Sequence, residues 1–453
     1  MKKFFALSLL LATISCIAQT PAGETLFRNV NVIPMTEEII LKNQDVLVRN
    51  GEIISIGNTG SVKFKKDARI VDATGKYLIP GLAEMHAHVP PVDDIEPMKE
   101  VLKLFLYNGV TTIRRMLGHP RHLELRSKIQ SGEILGPHFY TSGPSFNGNS
   151  VKSPEGGAEM VRNQRQAGYD FLKLHPGLNK ENFGAIAKTA KEVNIPFAGH
   201  VSFDVGVWRA IAAGYASIDH LDGFVESLVP GIDTIKEQDS GPFAMFIAKY
   251  ADEKKIPALM QALKDKNIWV VPTQALAERW FSPHKDADAF GREPEMIYMK
   301  EETLKNWVTS KKNLMANPKY NADEMQNFIA LRRKLIYECQ KNGVGLLLGS
   351  DGPQVFNVPG FSVHHELKYM VDAGLTPYQA LQSGTVNVAK YFNLKNSGVI
   401  KAGFVSDLVL LDANPLENIE NTKKIAGIML GKDWISKQEI TAELKKFEKP
   451  KPF

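Results

Sequence analysis

The sequence predicts an α/β chain, a (β/α)8 TIM barrel carrying a small β-sandwich built from both chain termini. Three observations predict it. Short β-type patterns occupy both ends of the 453 residues, strand-like and helix-like runs alternate from 79 to 394, and eight such units can be counted there.

Taken in order, Lys2-Lys3 and the apolar stretch from Phe4 to Ile14 read as a secretory signal peptide over 1–18. That stretch is shorter than the ~20 apolar residues that cross a bilayer. No later segment is apolar enough, so no membrane span is expected. Cleavage after the small Ala18 is favoured over lipid anchoring at Cys16, because Thr13 stands where a lipobox carries Leu. Export to the periplasm or the medium is the expectation. Cleavage would leave Cys339 alone, which excludes a disulfide framework, and Leu335 and Ile336 beside it predict a buried helical thiol.

Residues 25–33, 45–49 and 52–57 are strand-like, with Asn50-Gly51 as a hairpin turn. The β character returns at 402–412 and 425–431. Neither end makes a convincing sheet alone, so 19–78 and 395–453 are expected to form one composite domain around a barrel over 79–394. The barrel strands are predicted at 79–86, 109–115, 137–142, 169–175, 195–201, 215–221, 268–273 and 344–350. The surplus over the ~250 residues typical of this fold is concentrated in an insert at 274–327, after the seventh strand. There it would lie over the mouth, as a lid or as a plain surface excursion. The formal charge is +5, and Lys2 and Lys3 in the leader leave the remainder near +3, which is no nucleic-acid signature.

His86-Ala87-His88 closes the first strand, and residues two apart on a strand share a face, so both imidazoles can meet one metal ion. Four more candidate ligands end later strands: Lys173, His200, His220 and Asp351. In a barrel these ends form the catalytic face. Phe171, Lys173 and His175 share one face of the fourth strand, Leu172 and Leu174 the other. An unpaired ammonium facing into the barrel would be costly. Either Lys173 forms a salt bridge at the mouth, or it adds carbon dioxide to become N6-carboxylysine, an anionic bridge between two ions.

The segment from Pro80 to His88, with Lys173, His200, His220 and Gly349-Ser350-Asp351, resembles the binuclear metal-dependent amidohydrolase superfamily. Gly109-Val-Thr-Thr-Ile-Arg114, Ser142-Gly-Pro144 and Ala373-Gly-Leu-Thr-Pro377 are similar, more narrowly, to the branch with Xaa-Pro and related dipeptidases, imidazolonepropionase-like proteins and ochratoxin amidase. The resemblance implies that His86, His88 and Asp351 hold one divalent ion, His200 and His220 a second, and carboxylated Lys173 bridges them. Zinc is the default ion for such ligands, with manganese, cobalt and iron as alternatives. It further implies hydrolysis of a C–N amide bond by a metal-bridging hydroxide, with Asp351 as general base and then general acid.

Dipeptides or N-acyl amino acids are the first substrate expectation, a lactam or imidazolone-like ring the second, and a non-catalytic metal- or ligand-binding barrel the last. Tyr140, His175 and Arg279 are candidate substrate contacts. The partner expected is thus a small amide or peptide, with self-association left open. Two departures from the branch pattern are expected near the substrate: Arg114-Arg115 in place of Arg-Asp, and Phe146-Asn-Gly-Asn-Ser150 in place of a Gly-Gly-His loop. His364-His365-Glu366 lacks His-Glu-x-x-His spacing, and His119, His122, His138 and His284 are expected at the surface.

Overall fold

Asn50 and Gly51 adopt φ values of 52° and 86°, the paired left-handed residues of a tight hairpin turn, and join the strands Leu41–Arg49 and Glu52–Asn58. The computed structural model describes residues 23–450, so the leader at 1–18 and Cys16 lie outside the described residues. Eight strands form the terminal sheet. Their order is Asp433–Ser436, Ile425–Leu430, Leu408–Leu411, Tyr77–Pro80, Glu24–Val32, Leu41–Arg49 and Glu52–Asn58, with Arg69–Asp72 also paired to Glu24–Val32. The two chain ends meet where Leu408–Leu411 runs antiparallel to Tyr77–Pro80, with Leu408 opposite Pro80. Phe27, Val46, Val48, Leu78, Leu408, Leu410 and Met429 fill the core of this sheet.

The predicted strand at 79–86 is two strands. Tyr77–Pro80 belongs to the terminal sheet and Leu82–Ala87 to the barrel, with the chain crossing between them at Gly81. A Cβ on Gly81 would fall 2.1 Å from Thr111 Oγ1, so only glycine lets the crossing pass this close to the second strand.

Leu82–Ala87, Val110–Arg115 and His138–Thr141 form one parallel set, and Leu172–Leu174, Phe197–Gly199, Ser217–Asp219 and Trp269–Val271 another. The bridge of Ser142 with Phe171 joins the sets, Leu346 brings in the eighth stretch beside Val270, and Met85 N donates to Leu348 O at 2.8 Å to close the barrel. Leu172 and Leu174 pack outward into the large core under the helices, while Phe171 meets Met116 and Ala198 in a separate inner cluster.

The 274–327 stretch is helical, with Gln274–Trp280, Ala287–Gly291 and Glu301–Met315 followed by the long Ala322–Asn342. It builds its own core from Leu276, Phe290, Leu304 and Trp307, closed by Val355, Phe356 and Val358 from the loop after Asp351. Lys311, fully buried, donates from Nζ to the carbonyls of Arg279, Trp280 and Ser282. Cys339 is buried in Ala322–Asn342. No helix among the described residues is long and apolar enough to cross a membrane.

Of the histidines expected at the surface, one is buried and another, exposed as expected, is paired. His122 is fully buried, with Nε2 3.1 Å from Pro90 O. His138 joins the third barrel strand to the terminal sheet, its Nε2 2.8 Å from Asp407 Oδ2. The Asp407 carboxylate raises its pKa, so folding favours the protonated ring. Its stabilisation is fully present below the unfolded value of about 6.5 and is lost as pH rises through the higher native value. We therefore expect the melting difference between wild type and His138→Gln to shrink from acidic to alkaline pH. The effect should be small, since the ring is more than half exposed.

Candidate metal centre and its supporting shell

The six predicted ligands converge at the C-terminal ends of their strands. His86 and His220 rings lie 4.4 Å apart, His86 and His88 5.3 Å, and His200 and His220 4.2 Å, nearly stacked at 24°. Asp351 Oδ1 is 2.7 Å from His88 Nε2 and 3.7 Å from His86 Nε2, and Oδ2 is 3.8 Å from His220 Nδ1. One nitrogen or oxygen from each of His86, His88 and Asp351 fits within 4.8 Å of the others, the spacing of ligands around a single ion.

Two glycines let the backbone come this close. A Cβ on Gly349 would fall 2.9 Å from His86 N. On Gly199, which has φ 122°, it would fall 2.7 Å from Lys173 Cδ, so the space before His200 is filled by the lysine stem.

Burial and charge leave the cluster short of partners. Lys173 is fully buried, its Nζ has no hydrogen-bond partner, and the nearest carboxylate oxygen, on Asp219, is 3.8 Å away. Burial pushes its ammonium down to about 8. His220 Nε2 is likewise buried without a partner, and Asp351 Oδ1, though 2.7 Å from His88 Nε2, accepts no hydrogen bond. Burial also holds His86 and His220 well below the ordinary imidazole range, so both are neutral at pH 7 and keep a lone pair for a cation. A buried set of neutral imidazoles, a carboxylate and an amine with unused valences fits divalent ions.

Residues that sequence reasoning missed orient these ligands. His86 Nδ1 lies 2.8 Å from Asp219 Oδ2, His200 Nδ1 2.6 Å from Asp222 Oδ2, and His220 Nδ1 2.9 Å from Thr273 Oγ1. Each partner fixes the tautomer that leaves the other ring nitrogen for a metal. Asp219 and Asp222 flank His220 in the sequence, but nothing in the pattern separates them from ordinary strand-end acids. Glu84, fully buried, accepts from His86 N and from the Ser350 backbone, tying the first strand to the eighth. Burial raises its carboxyl to about 7.

The other candidates separate. His175 joins the cluster, its ring 5.1 Å from His200 and its Nδ1 buried without a partner. Tyr140 does not: it stacks on Phe392 at 3.9 Å and 13°, and lines a cavity with His138 and Asp433 beside the terminal sheet. Arg279 is corrected too. It is 1% exposed, its Nε donates to Phe356 O at 3.0 Å, and Nη2 is committed to Glu293 and Glu295, so it holds the insert together and is not free for a substrate.

Of the Arg114-Arg115 departure, Arg114 is committed within the barrel. Arg114 lies fully buried, bonded to Met85 O, Ser217 Oγ, Tyr391 Oη and Asp219 Oδ1. Arg115, also buried, donates to Val89 O. His364 lies buried with Nδ1 3.0 Å from Thr422 Oγ1.

Ochratoxinase of Aspergillus niger is 23% identical, aligned over 90% of this chain and 89% of its own. Among solved structures, a bottromycin amidohydrolase superposes with a TM-score of 0.70 at 20% identity, covering 93% of this chain and 89% of that one. A Xaa-Pro dipeptidase with bound methionine in its active site superposes at 0.65 and 17% identity, covering 91% and 100%. The sequence matches the amidohydrolase family over residues 77–433, most of its length, and the chain belongs to that family of hydrolases acting on C–N bonds.

Proposed function

We propose that the protein hydrolyses the amide bond of small dipeptides or N-acyl amino acids with two divalent ions, zinc by default. The observation that carries this is the convergence of three buried atoms that make no hydrogen bond, Lys173 Nζ, His220 Nε2 and Asp351 Oδ1, at the barrel mouth. His86, His88 and Asp351 would hold one ion, His200 and His220 the other, and Lys173, as the carbamate, both. An amine with a pKa near 8 keeps a reactive neutral fraction at physiological pH, which carbon dioxide addition requires. The bound ions supply an acidified water and a polarised carbonyl.

This chain's own groups do the rest. Asp351 takes the water's proton and hands it to the departing nitrogen. Asp219, Asp222 and Thr273 hold the imidazoles in one tautomer throughout. His175, half-buried and held below the usual imidazole range by burial, presents a neutral ring to the substrate. The likenesses to proteins named ochratoxinase and Xaa-Pro dipeptidase support an amide as the bond cleaved. The proposed leader would place this chemistry outside the cytosol.

The test is turnover of dipeptides, N-acyl amino acids and lactams by zinc-loaded protein in bicarbonate buffer, with metal per chain measured alongside. Release of free amino acids from linear amides is the expected result. Protein carrying two ions that opens only lactams would move it to cyclic amides. No turnover of any amide by such protein would remove the hydrolase reading of this chain's site.

A further inference from the structure

Phe243 has an unusual combination of properties for an aromatic residue. It lies between the sixth barrel strand and the helix Ile256–Asp265, at the same end of the barrel as His220, and its φ of 52° and ψ of 30° are left-handed. Ala244 follows at φ 61°. A bulky residue in this region is strained, and such strain persists only where the surroundings enforce it. Ala244 and Met245 are both 1% exposed and anchor the turn, while Phe243 itself remains half-buried. Its ring reaches 5.3 Å from the His220 ring, 5.6 Å from Phe281 and 5.7 Å from the Arg332 guanidinium carbon.

Around the metal centre the fully buried ligands form the floor, and the half-buried His88, His175 and His200 form polar walls. Phe243 is the aromatic ring that the fold brings against His220 from the insert side. Packing explains a ring lodged in a core. Phe243 packs against both the barrel core and the insert core, but packing does not explain a strained backbone at a residue that stays partly exposed beside His220.

We propose that Phe243 is the specificity-determining residue, selecting amides with a flat, aromatic group next to the scissile bond. This rests on the amide-hydrolase reading above. An aromatic substrate ring would stack or meet edge-to-face with Phe243, while a small aliphatic group would leave the ring wet.

The test compares N-benzoylglycine with N-acetylglycine, and N-acetylphenylalanine with N-acetylalanine, in wild type, Phe243→Ala and Phe243→Leu, all zinc-loaded. In at least one pair, wild type should favour the aromatic member in kcat/KM. Both substitutions should cut that ratio about tenfold, through KM. In parallel, calorimetry should show phenylacetate binding tighter than acetate, with the difference shrinking by a similar factor in both variants. Calorimetry needs no turnover, so an inactive wild type that keeps the Phe243-dependent phenylacetate preference would count against the hydrolase reading and leave Phe243 as the contact for an aromatic group. Ratios and binding preferences unchanged in a folded Phe243→Leu protein would overturn it.

Discussion

Replacing Asp351 by Asn is expected to lower kcat at least about a thousandfold while leaving the fold intact. The two side chains have the same shape, and the amide oxygen can still face a metal ion. What Asn lacks is a carboxylate that accepts a proton and returns it, a role worth 10²–10⁴ in rate on its own. Asp351 Oδ1 lies 2.7 Å from His88 Nε2, so the substitution also removes the charge that balances that ring beside an ion. The position is a strained one, with φ at 62°, and Asn tolerates left-handed backbone as well as Asp does. Near-normal kcat with two ions bound would remove Asp351 from the proton path. A matching loss of kcat and of metal would show that ligation, not proton transfer, is its main contribution.

The candidate metal ligands were legible in the sequence because each ends an apolar strand, and a parallel barrel brings strand ends together. Lys173 stood out for a second reason, since strand alternation placed it opposite the outward Leu172 and Leu174. Failures came where position along an element mattered more than face. Tyr140 lies on the third strand as expected, but it stacks on Phe392 and lines a cavity beside the terminal sheet. Arg279 lies in the insert as expected, but the nearby Glu293 and Glu295 neutralise it, and charge pattern alone does not show which pairs will form. The split of 79–86 into two strands was marked by the turn dipeptide Pro80-Gly81, but the apolar residues on both sides of it read as one run. The terminal helix Lys437–Phe447, in a region expected only as part of the composite β domain, carried a readable start, Ser436 and Glu439 capping each other. Least legible were the long-range supports, of which Arg332 is the clearest.

Arg332→Met is expected to weaken the second ion's binding 10–100-fold and to destabilise the protein by about 3–5 kcal/mol. Arg332 is 1% exposed on Ala322–Asn342, 112 residues beyond the ligand it supports. Its Nη1 donates to His220 O at 2.8 Å, Nη2 to Pro272 O at 2.8 Å and Nε to Gln274 Oε1 at 3.0 Å. His220 and Leu221 have φ values of 65° and 59°, and Thr273, which meets the His220 ring, has 47°. Each such residue costs roughly 1 kcal/mol or more, so this backbone needs an external clamp. Arg332 is that clamp, because one rigid fork grips the carbonyls on both sides of the ligand's support. Burial lowers its pKa to about 10, which still leaves it charged at neutral pH and balanced by Asp222 and Glu278. Methionine would fill the volume but leave two carbonyls unpaired and those acids uncompensated. Arg332→Lys keeps the charge without the fork and should fall between the two. Chelator competition reads the metal loss and urea unfolding the stability loss. A Met variant that unfolds earlier yet holds both ions at wild-type affinity would reduce Arg332 to a structural residue and locate the cause of the His220 geometry elsewhere.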